Sequence, residues 1–387
     1  MRRLKIQFFF SYGIFGCIGP LLPVYLKEIK GFDERQLGVN QALTSIATIL
    51  APCLITLLAD LRIDPRRILT IAFIVSLTAF SFILNTTGVG WTLAFYTLHS
   101  LAFIPTVALQ DGYYFTLTKA RGLPQNYHQI RVWGTIGFIA PSLVLFFCLR
   151  NNPNHLHLIF IAAIAFAVIS ALHSFRLPAP PAPTEAKTTT GSRLPSTEAF
   201  VALFSPRGRF FCLALMLAMA ATTAYHTFFP LYLREIVQVK SSIVGLIINV
   251  GVLLEIVYIL AIGRLQKRFG IQRLMVFGFA AMTTRLLLLA LFPNVFTAVA
   301  TQVLHGAEIC AVFVLPIGYL NTLASDRFRN SIQGVYTMVV IGVSRVVGSL
   351  AAGQLAEIDI IVLFFCAAGV AFAAMMVTAT LFRPEPD

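Results

Sequence analysis

The sequence predicts an all-α membrane protein with twelve transmembrane helices in two like-oriented halves of six. Three observations lead to this fold class: the composition, a series of long apolar segments, and two motifs that recur in the second half. Of the 387 residues, 58% are hydrophobic and 12% are charged, and the mean hydropathy is +0.82. A soluble domain has roughly 25% charged residues, so the composition excludes a soluble enzyme.

Apolar segments recur along the whole chain at the length that a membrane helix requires. A helix needs about 20 apolar residues to cross the hydrocarbon core of a bilayer. The predicted spans are residues 6–26, 37–58, 68–87, 91–117, 129–149, 157–175, 209–233, 242–262, 273–292, 295–323, 331–355 and 360–382.

The basic residues collect in alternate connecting segments. Of the 29 Lys and Arg residues, twenty fall in the connecting segments or at span ends on the side of the N-terminus, six lie on the opposite side and three lie in the interior of spans. Because Lys and Arg accumulate in cytoplasmic loops, we expect a multi-pass protein of the cell inner membrane with both termini in the cytoplasm. This topology also accounts for the net charge of +13 without a nucleic-acid partner.

The longest polar stretch, residues 176–208, separates two groups of six predicted spans. It contains Pro-Ala-Pro-Pro-Ala-Pro and Thr-Thr-Thr-Gly-Ser, a composition typical of a flexible linker. We therefore expect an N-terminal half at 1–175, a cytoplasmic linker at 176–208 and a C-terminal half at 209–387.

Two motifs occur once in each half. Pro-Val-Tyr-Leu-Lys-Glu-Ile at 23–29 is repeated as Pro-Leu-Tyr-Leu-Arg-Glu-Ile at 230–236, an offset of 207 residues. Gly-Tyr-x-x-Thr-Leu-x-x-x-Arg at 112–121 is repeated at 318–327, an offset of 206. Two like-oriented six-helix halves resemble the major facilitator transporters. That resemblance implies a solute site between the halves, near the middle of the membrane.

Several ionisable residues lie inside predicted spans, where each charge costs about 2.5–3.5 kcal/mol on insertion scales. Three acids against three arginines suggest buried pairs around a polar cavity. These residues are Asp111, Arg131, Glu255, Arg285, His305, Glu308 and Arg345.

The spacing of Arg285, His305 and Glu308 is similar to a pattern in the lactose permease and its oligosaccharide, nucleoside and phenylpropionate relatives. In that group an Arg on helix 9 precedes a His on helix 10 by twenty residues, and a Glu follows three residues later. The resemblance implies that these three residues couple transport to protons. His305 and Glu308 share one helix face, so they can also pass a proton between them. The alternative is a fixed ion pair that only packs helices.

The run Tyr-His-Gln-Ile-Arg-Val-Trp-Gly-Thr-Ile-Gly-Phe at 127–138 resembles the phenylpropionate and nucleoside permeases. It places Arg131 where the lactose permease has an Arg, and Phe138 where that permease has a Trp that stacks on sugar. Asp111 and Arg131 are candidates to bind solute as acceptor and bidentate donor, or to form a salt bridge with each other. Gly134 and Gly137 are expected to permit close helix packing.

Glu255 and Arg345 complete the candidate substrate-binding set. Glu255 could instead pair with Arg285, and Arg345 could instead join two helices. His226 and His99 also lie in predicted spans, where structural histidines are more common than functional ones. No cysteine pair has metal-ligand spacing, so we expect no metal site.

These observations favour a monomeric secondary transporter, not an enzyme, whose partners are the lipid bilayer, H⁺ and a small organic solute. The solute classes implied by the resemblance are aromatic acids like 3-phenylpropionate, nucleosides and oligosaccharides. The chain has no Walker motif for ATP, so the proton gradient is expected to supply the energy without any cofactor. Two alternatives stay open: a proton-driven efflux antiporter, and a non-transporting membrane sensor or assembly protein.

Overall fold

The computed structural model describes residues 1–60, 63–122, 127–152, 155–178, 197–206, 208–323 and 329–383, and these residues are helical throughout apart from short connections. The all-α class is thereby confirmed. The helices of the first part are α1 (Arg2–Ile18), α2 (Leu22–Glu28), α3 (Glu34–Asp60), α4 (Pro65–Asn85), α5 (Val89–Ala120), α6 (Tyr127–Asn151) and α7 (Leu158–Ser174).

The later helices are α8 (Thr197–Leu203), α9 (Arg209–Leu231), α10 (Ser241–Leu291), α11 (Val295–Ala300), α12 (His305–Ile309), α13 (Leu315–Leu323), α14 (Arg329–Val335), α15 (Ser344–Ile358) and α16 (Ile360–Thr380). Helix α8 forms within the predicted linker 176–208, of which residues 179–196 and 207 lie outside the described residues.

Among the described residues, eight helices are long and apolar enough to cross a membrane. The number rises to nine if α1 and α2, which are bent by 40° at a short break, form one span. Helix α10 contains the predicted spans 242–262 and 273–292, and Gly270 between them has φ 75° and ψ 162°. Since a positive φ interrupts an α-helix, α10 consists of two helices joined end to end. A protein with many apolar spans is confirmed, and the number twelve stays a prediction.

Polar side chains fix where two of the helices begin. Asp33 and Gln36 form reciprocal side-chain to backbone hydrogen bonds of 2.7 and 3.1 Å, which is a capping box at the start of α3. Asp64 accepts a 2.9 Å hydrogen bond from the backbone N–H of Arg66 at the start of α4. The Arg66 guanidinium also donates to this carboxylate and holds the pKa of Asp64 below its usual value.

The chain divides into two compact units. Unit 1 comprises Met1–Phe32, Leu50–Thr190 and Lys240–Leu246, and unit 2 comprises Asp33–Ile49, Gly191–Val239 and Ile247–Asp387. The single helix α3 thus contributes its first half to unit 2 and its second half to unit 1.

In unit 1, helix α1 packs closely on α6 and α7. A Cβ atom added to Gly137 of α6 would lie 2.1 Å from the carbonyl oxygen of Phe9, and one added to Gly134 would lie 3.0 Å from the ring of Tyr12. No side chain fits at Gly137 without separating the two helices. The predicted packing role of both glycines is confirmed.

In unit 2, helix α9 is largely buried against α15 and α16. The first half of α3 packs on α15, where a Cβ atom on Gly38 would lie 2.6 Å from the carbonyl oxygen of Ser349. Arg35 and Glu357 form an ion pair at the end of the same contact.

Candidate functional site

The candidate site in unit 2 is built on an irregular helical segment between α11 and α13. A 3₁₀ turn at Thr301–Leu304 precedes the short helix α12, and a π-helical turn at Cys310–Val314 follows it. Such irregular turns within a helix are frequent at functional sites because they change the direction of side chains. Here they leave Gln302, His305 and Glu308 all buried.

Arg285 of α10 lies at the centre of the site, and only 1% of this residue is exposed. Its Nη1 atom donates to Nδ1 of His305 at 2.9 Å and to Oε2 of Glu308 at 3.0 Å. Its Nη2 atom donates to Oε1 of Gln302 at 2.9 Å and to the hydroxyl of Tyr225. The flat guanidinium group therefore holds four partners in fixed positions, as its fork of donors allows.

Glu308 of α12 is equally buried, with 1% of the side chain exposed. Its second carboxylate oxygen, Oε1, accepts a 3.0 Å hydrogen bond from the hydroxyl of Thr222. The carboxylate thus has one cationic and one neutral donor. If either partner of such a buried pair loses its charge, the other charge is left uncompensated, which is strongly destabilising unless the structure rearranges.

The contacts of His305 define its tautomer. Because an arginine can only donate, Nδ1 of His305 must be the acceptor of the Arg285 hydrogen bond. In the neutral ring the hydrogen is then on Nε2, which faces Oε2 of Glu255 at 3.8 Å. The Glu255 side chain is 26% exposed, whereas Glu308 is fully enclosed. His305 therefore lies between a partly exposed acid and a buried ion pair.

The site is enclosed by aromatic and small residues. The Arg285 guanidinium carbon lies 3.8 Å from the centroid of the Tyr225 ring, and Tyr225 stacks on Phe229 at 4.6 Å. A Cβ atom on Gly251 would lie 2.6 Å from Oε1 of Gln302 and 2.9 Å from the His305 ring. Gly251 is therefore a position at which the backbone of α10 lies directly against Gln302 and His305.

Arg345, at the start of α15, is half-buried and close enough to His226 of α9 for its charge to act on that ring. The His226 and His305 rings are 5.6 Å apart. Unit 2 thus brings together five of the predicted site residues, with His226 as an additional member. They are Arg285, His305, Glu308, Glu255 and, at the edge, Arg345.

Unit 1 contains a second polar cluster around Asp111 and Arg131. Oδ1 of Asp111 accepts a 2.6 Å hydrogen bond from the hydroxyl of Tyr127, and the Arg131 guanidinium carbon lies 4.3 Å from the centroid of the Tyr12 ring. The charges of Asp111 and Arg131 interact. Within the described part of the chain, however, no ion pair within 4.0 Å joins them. A direct salt bridge between Asp111 and Arg131, the alternative considered above, is therefore absent among the described residues.

Phe138, the last predicted substrate-binding residue, lies on the α1 side of α6 and is half-buried. A Cβ atom on Gly16 would lie 2.1 Å from its carbonyl oxygen, and one on Gly19 would lie 3.9 Å from its ring. Its backbone therefore packs on α1, and its ring lies near Gly19 of the segment that follows α1.

The sequence did not identify the neutral partners of these charges. They are Thr222, Tyr225 and Gln302 in unit 2, and Tyr12 and Tyr127 in unit 1. Thr222, Tyr225 and His226 are spaced three and four residues apart, which places them on one helix face. This spacing of polar residues within an apolar span was the feature of the sequence from which they could have been identified. Among the described residues, no group of three His, Cys, Asp or Glu side chains could hold a metal ion.

Comparisons with known proteins agree with this architecture. A family model described as "MFS_1 like family" matches residues 1–367. The xanthosine permease of Escherichia coli (strain K12) is 25% identical over 370 residues, which are 91% of this chain and 87% of that protein. The nucleoside permease NupG of the same strain is 24% identical over 373 residues, covering 92% and 87%. A crystal structure of nucleoside transporter NupG matches 99% of both chains with a TM-score of 0.86 and 21% identity.

Proposed function

Because the chain belongs to the MFS_1 like family of major facilitator transporters, we propose that it couples proton symport to the movement of a small organic solute. The protein is a membrane transporter with the major facilitator fold, and it is not an enzyme. In the proposal it is a monomer of the inner membrane with both termini in the cytoplasm. It uses the proton gradient and no cofactor.

The proposal includes the full predicted topology of twelve helices in two like-oriented halves, 1–175 and 209–387, joined by the cytoplasmic segment 176–208. Solute then crosses by alternating access, in which the halves open in turn to either side. With this orientation, the contact of α3 with α15 and the Arg35–Glu357 ion pair belong to the outer side of the membrane.

The contact between Arg285 and Glu308 is the observation that supports the proposal of proton coupling. While Glu308 is ionised, the pair is neutral as a whole and is held by direct hydrogen bonds. When Glu308 takes up a proton, Arg285 keeps its charge and loses its ionic partner in surroundings with little water. An uncompensated buried charge costs several kcal/mol, so protonation favours a rearrangement of the helices that carry the two residues. A proton bound at Glu308 and a conformational change are thereby linked.

The cluster in unit 1 supports a polar, partly aromatic solute. Asp111 can accept hydrogen bonds from hydroxyl groups, Arg131 can donate to a carbonyl or carboxylate group, and Phe138 offers a ring face. A nucleoside carries both hydroxyl groups and an aromatic base, and the relatives named above are a xanthosine permease and a nucleoside permease. We therefore place nucleosides first among the solutes, ahead of aromatic acids like 3-phenylpropionate and of oligosaccharides. Glu255 and Arg345 are proposed as further solute contacts in unit 2.

The experiment uses purified protein in de-energised vesicles and records the external pH when a solute is added. The panel contains xanthosine and other nucleosides, 3-phenylpropionate, and mono- and disaccharides. Proton symport down a solute gradient removes protons from the outside, so we expect alkalinisation with one solute class. Glu308→Gln should abolish the signal, whereas Glu198→Gln, an exposed acid outside the site, should leave it unchanged.

Solute uptake with equal alkalinisation in wild type and Glu308→Gln would contradict the assignment of the proton to Glu308. External acidification on adding a solute would indicate proton-driven antiport and overturn symport. No flux of any solute, with correctly folded protein, would overturn the transport proposal as a whole.

A further inference from the structure

His226 is an exposed residue in the middle of a buried stretch. All residues from 221 to 233 are buried except His226, which is exposed although it lies inside α9. An imidazole changes its charge near neutral pH more readily than any other side chain. A titratable ring is therefore the accessible residue of this stretch of α9.

The ring is connected to the buried ion pair through Thr222. Nδ1 of His226 lies 2.8 Å from the carbonyl oxygen of Thr222, and the hydroxyl of the same Thr222 donates to Glu308 at 3.0 Å. Because a carbonyl oxygen only accepts, Nδ1 carries the hydrogen. The basic lone pair is then on Nε2, which is the atom that can take up a proton.

Charged and titratable groups of α10, α12 and α15 act on His226. The acid is Glu308 of α12, the two cations are Arg285 of α10 and Arg345 of α15, and the neighbouring ring is His305 at 5.6 Å. Glu255 of α10 lies beyond His305. One acid attracts a proton on His226 while two arginines oppose it. Such a mixed field suits a group that takes up a proton and passes it on.

We propose that His226 is the group through which protons reach and leave Glu308. A proton from solvent binds Nε2 and forms the imidazolium. The imidazolium then gives one proton to the Glu308 carboxylate, directly after a ring movement or through one intervening water. The ring becomes neutral again, Glu308 becomes the neutral acid, and its ionic contact with Arg285 ends. Release of the proton follows the same steps in reverse. The inference rests on the proposed function and adds the path of the proton to it.

The test compares two variants of this residue in the vesicle assay, with the solute that wild type transports. His226→Asn keeps an N–H donor close to the Nδ1 position but has no titratable nitrogen. His226→Ala opens space for added imidazole. The control is His157→Gln, which replaces an exposed histidine outside the site. Each variant is assayed for solute-driven proton movement and for counterflow, the exchange of solute across the membrane, which requires no net proton transfer.

We expect His226→Asn to slow solute-driven proton movement by about tenfold or more, a typical effect of removing a positioned proton carrier. Counterflow should stay close to the wild-type rate, because the exchange of solute requires no net proton transfer through His226. Imidazole added to His226→Ala should restore part of the coupled rate. A structural role for the ring would not produce this rescue.

Three results would overturn the inference. Coupled transport at the wild-type rate in His226→Asn would remove His226 from the proton path. A parallel fall of coupled transport and counterflow, without imidazole rescue, would assign the residue to packing or solute binding. Absence of proton movement in wild type itself would instead overturn the proposed function together with this inference, so the two failures are distinguishable.

Discussion

Replacing Arg285 with lysine tests whether the geometry of the guanidinium group, and not only its charge, maintains the site. The variant Arg285→Lys keeps a positive charge opposite Glu308, so the buried carboxylate is not left uncompensated. It replaces the two terminal donor nitrogens of the guanidinium group with the single nitrogen of an ammonium group. Arg285 serves four acceptors on His305, Glu308, Gln302 and Tyr225 from its two terminal nitrogens.

The magnitude follows from these contacts. An ammonium group has three N–H donors on one atom, so at least one of the four acceptors loses its donor. Each buried polar group left unsatisfied costs roughly 1–3 kcal/mol. The stacking of the guanidinium on Tyr225, at 3.8 Å from the ring centroid, contributes about 1–2 kcal/mol more when it is desolvated. We therefore expect Arg285→Lys to lower the free energy of unfolding by about 2–5 kcal/mol.

Denaturant unfolding in detergent micelles measures this change, and the vesicle assay measures coupled transport in parallel. The matched control is Arg264→Lys, an exposed arginine on the same helix α10. We expect the control to unfold like wild type and Arg285→Lys to be both less stable and uncoupled. If Arg285→Lys unfolds at the wild-type midpoint and remains coupled, then the fork of hydrogen bonds is not what holds the site and the reasoning is refuted.

Three further predictions concern packing, helix capping and solute binding. Gly251→Leu should destabilise the protein by about 1–3 kcal/mol through overpacking. The control Gly263→Leu should not, because no atom lies within 4 Å of a Cβ added at that position. Thermal unfolding of the two variants measures the difference. Asp64→Ala should cost about 1 kcal/mol by loss of the α4 cap. The pKa of Asp64 is lowered in the folded state. The difference in the free energy of unfolding between wild type and Asp64→Ala should therefore be largest near neutral pH and should decrease as the pH falls through that pKa. Unfolding measured at several pH values tests this. Asp111→Asn should raise the KM for solute about tenfold, the equivalent of one charged hydrogen bond, while the number of protons moved per solute stays constant. A wild-type KM would exclude Asp111 from the solute site.

Hydropathy predicted the helices and the charges inside them, because it is a property of the local sequence, and the resemblance to a family pattern singled out Arg285, His305 and Glu308 among these charges. Apolar length marks a segment as a candidate to cross a membrane. The twenty-residue separation of Arg285 from His305 can be read directly from the sequence and resembles the family pattern described above. The structure accordingly brings Arg285, His305 and Glu308 into contact.

The partners of these charges could not be predicted in the same way, since they depend on contacts across distant parts of the chain. Thr222 is separated from Glu308 by 86 residues, and Tyr225 from Arg285 by 60. The 3₁₀ and π-helical turns beside α12 also change which side chains face inward. Helical periodicity, which assumes a regular turn, does not include such shifts. His305, whose Nε2 atom lies 3.8 Å from Oε2 of Glu255, is part of this irregular segment.

The two polar clusters satisfy their buried charges in different ways, and the difference fits them for different ligands. In unit 2, Arg285 and Glu308 touch directly, and neutral residues occupy their remaining bonds, so a polar solute would have to displace formed hydrogen bonds. A proton needs no such space and acts on the carboxylate itself. In unit 1, Asp111 is held by the hydroxyl of Tyr127, and Arg131 rests on the ring of Tyr12. These neutral partners leave acceptor and donor capacity on both charged groups, at which a solute can add hydrogen bonds without breaking an ion pair. We therefore expect substitutions in the unit 1 cluster to change the affinity for solute, and substitutions in the Arg285–Glu308 cluster to change the coupling to protons.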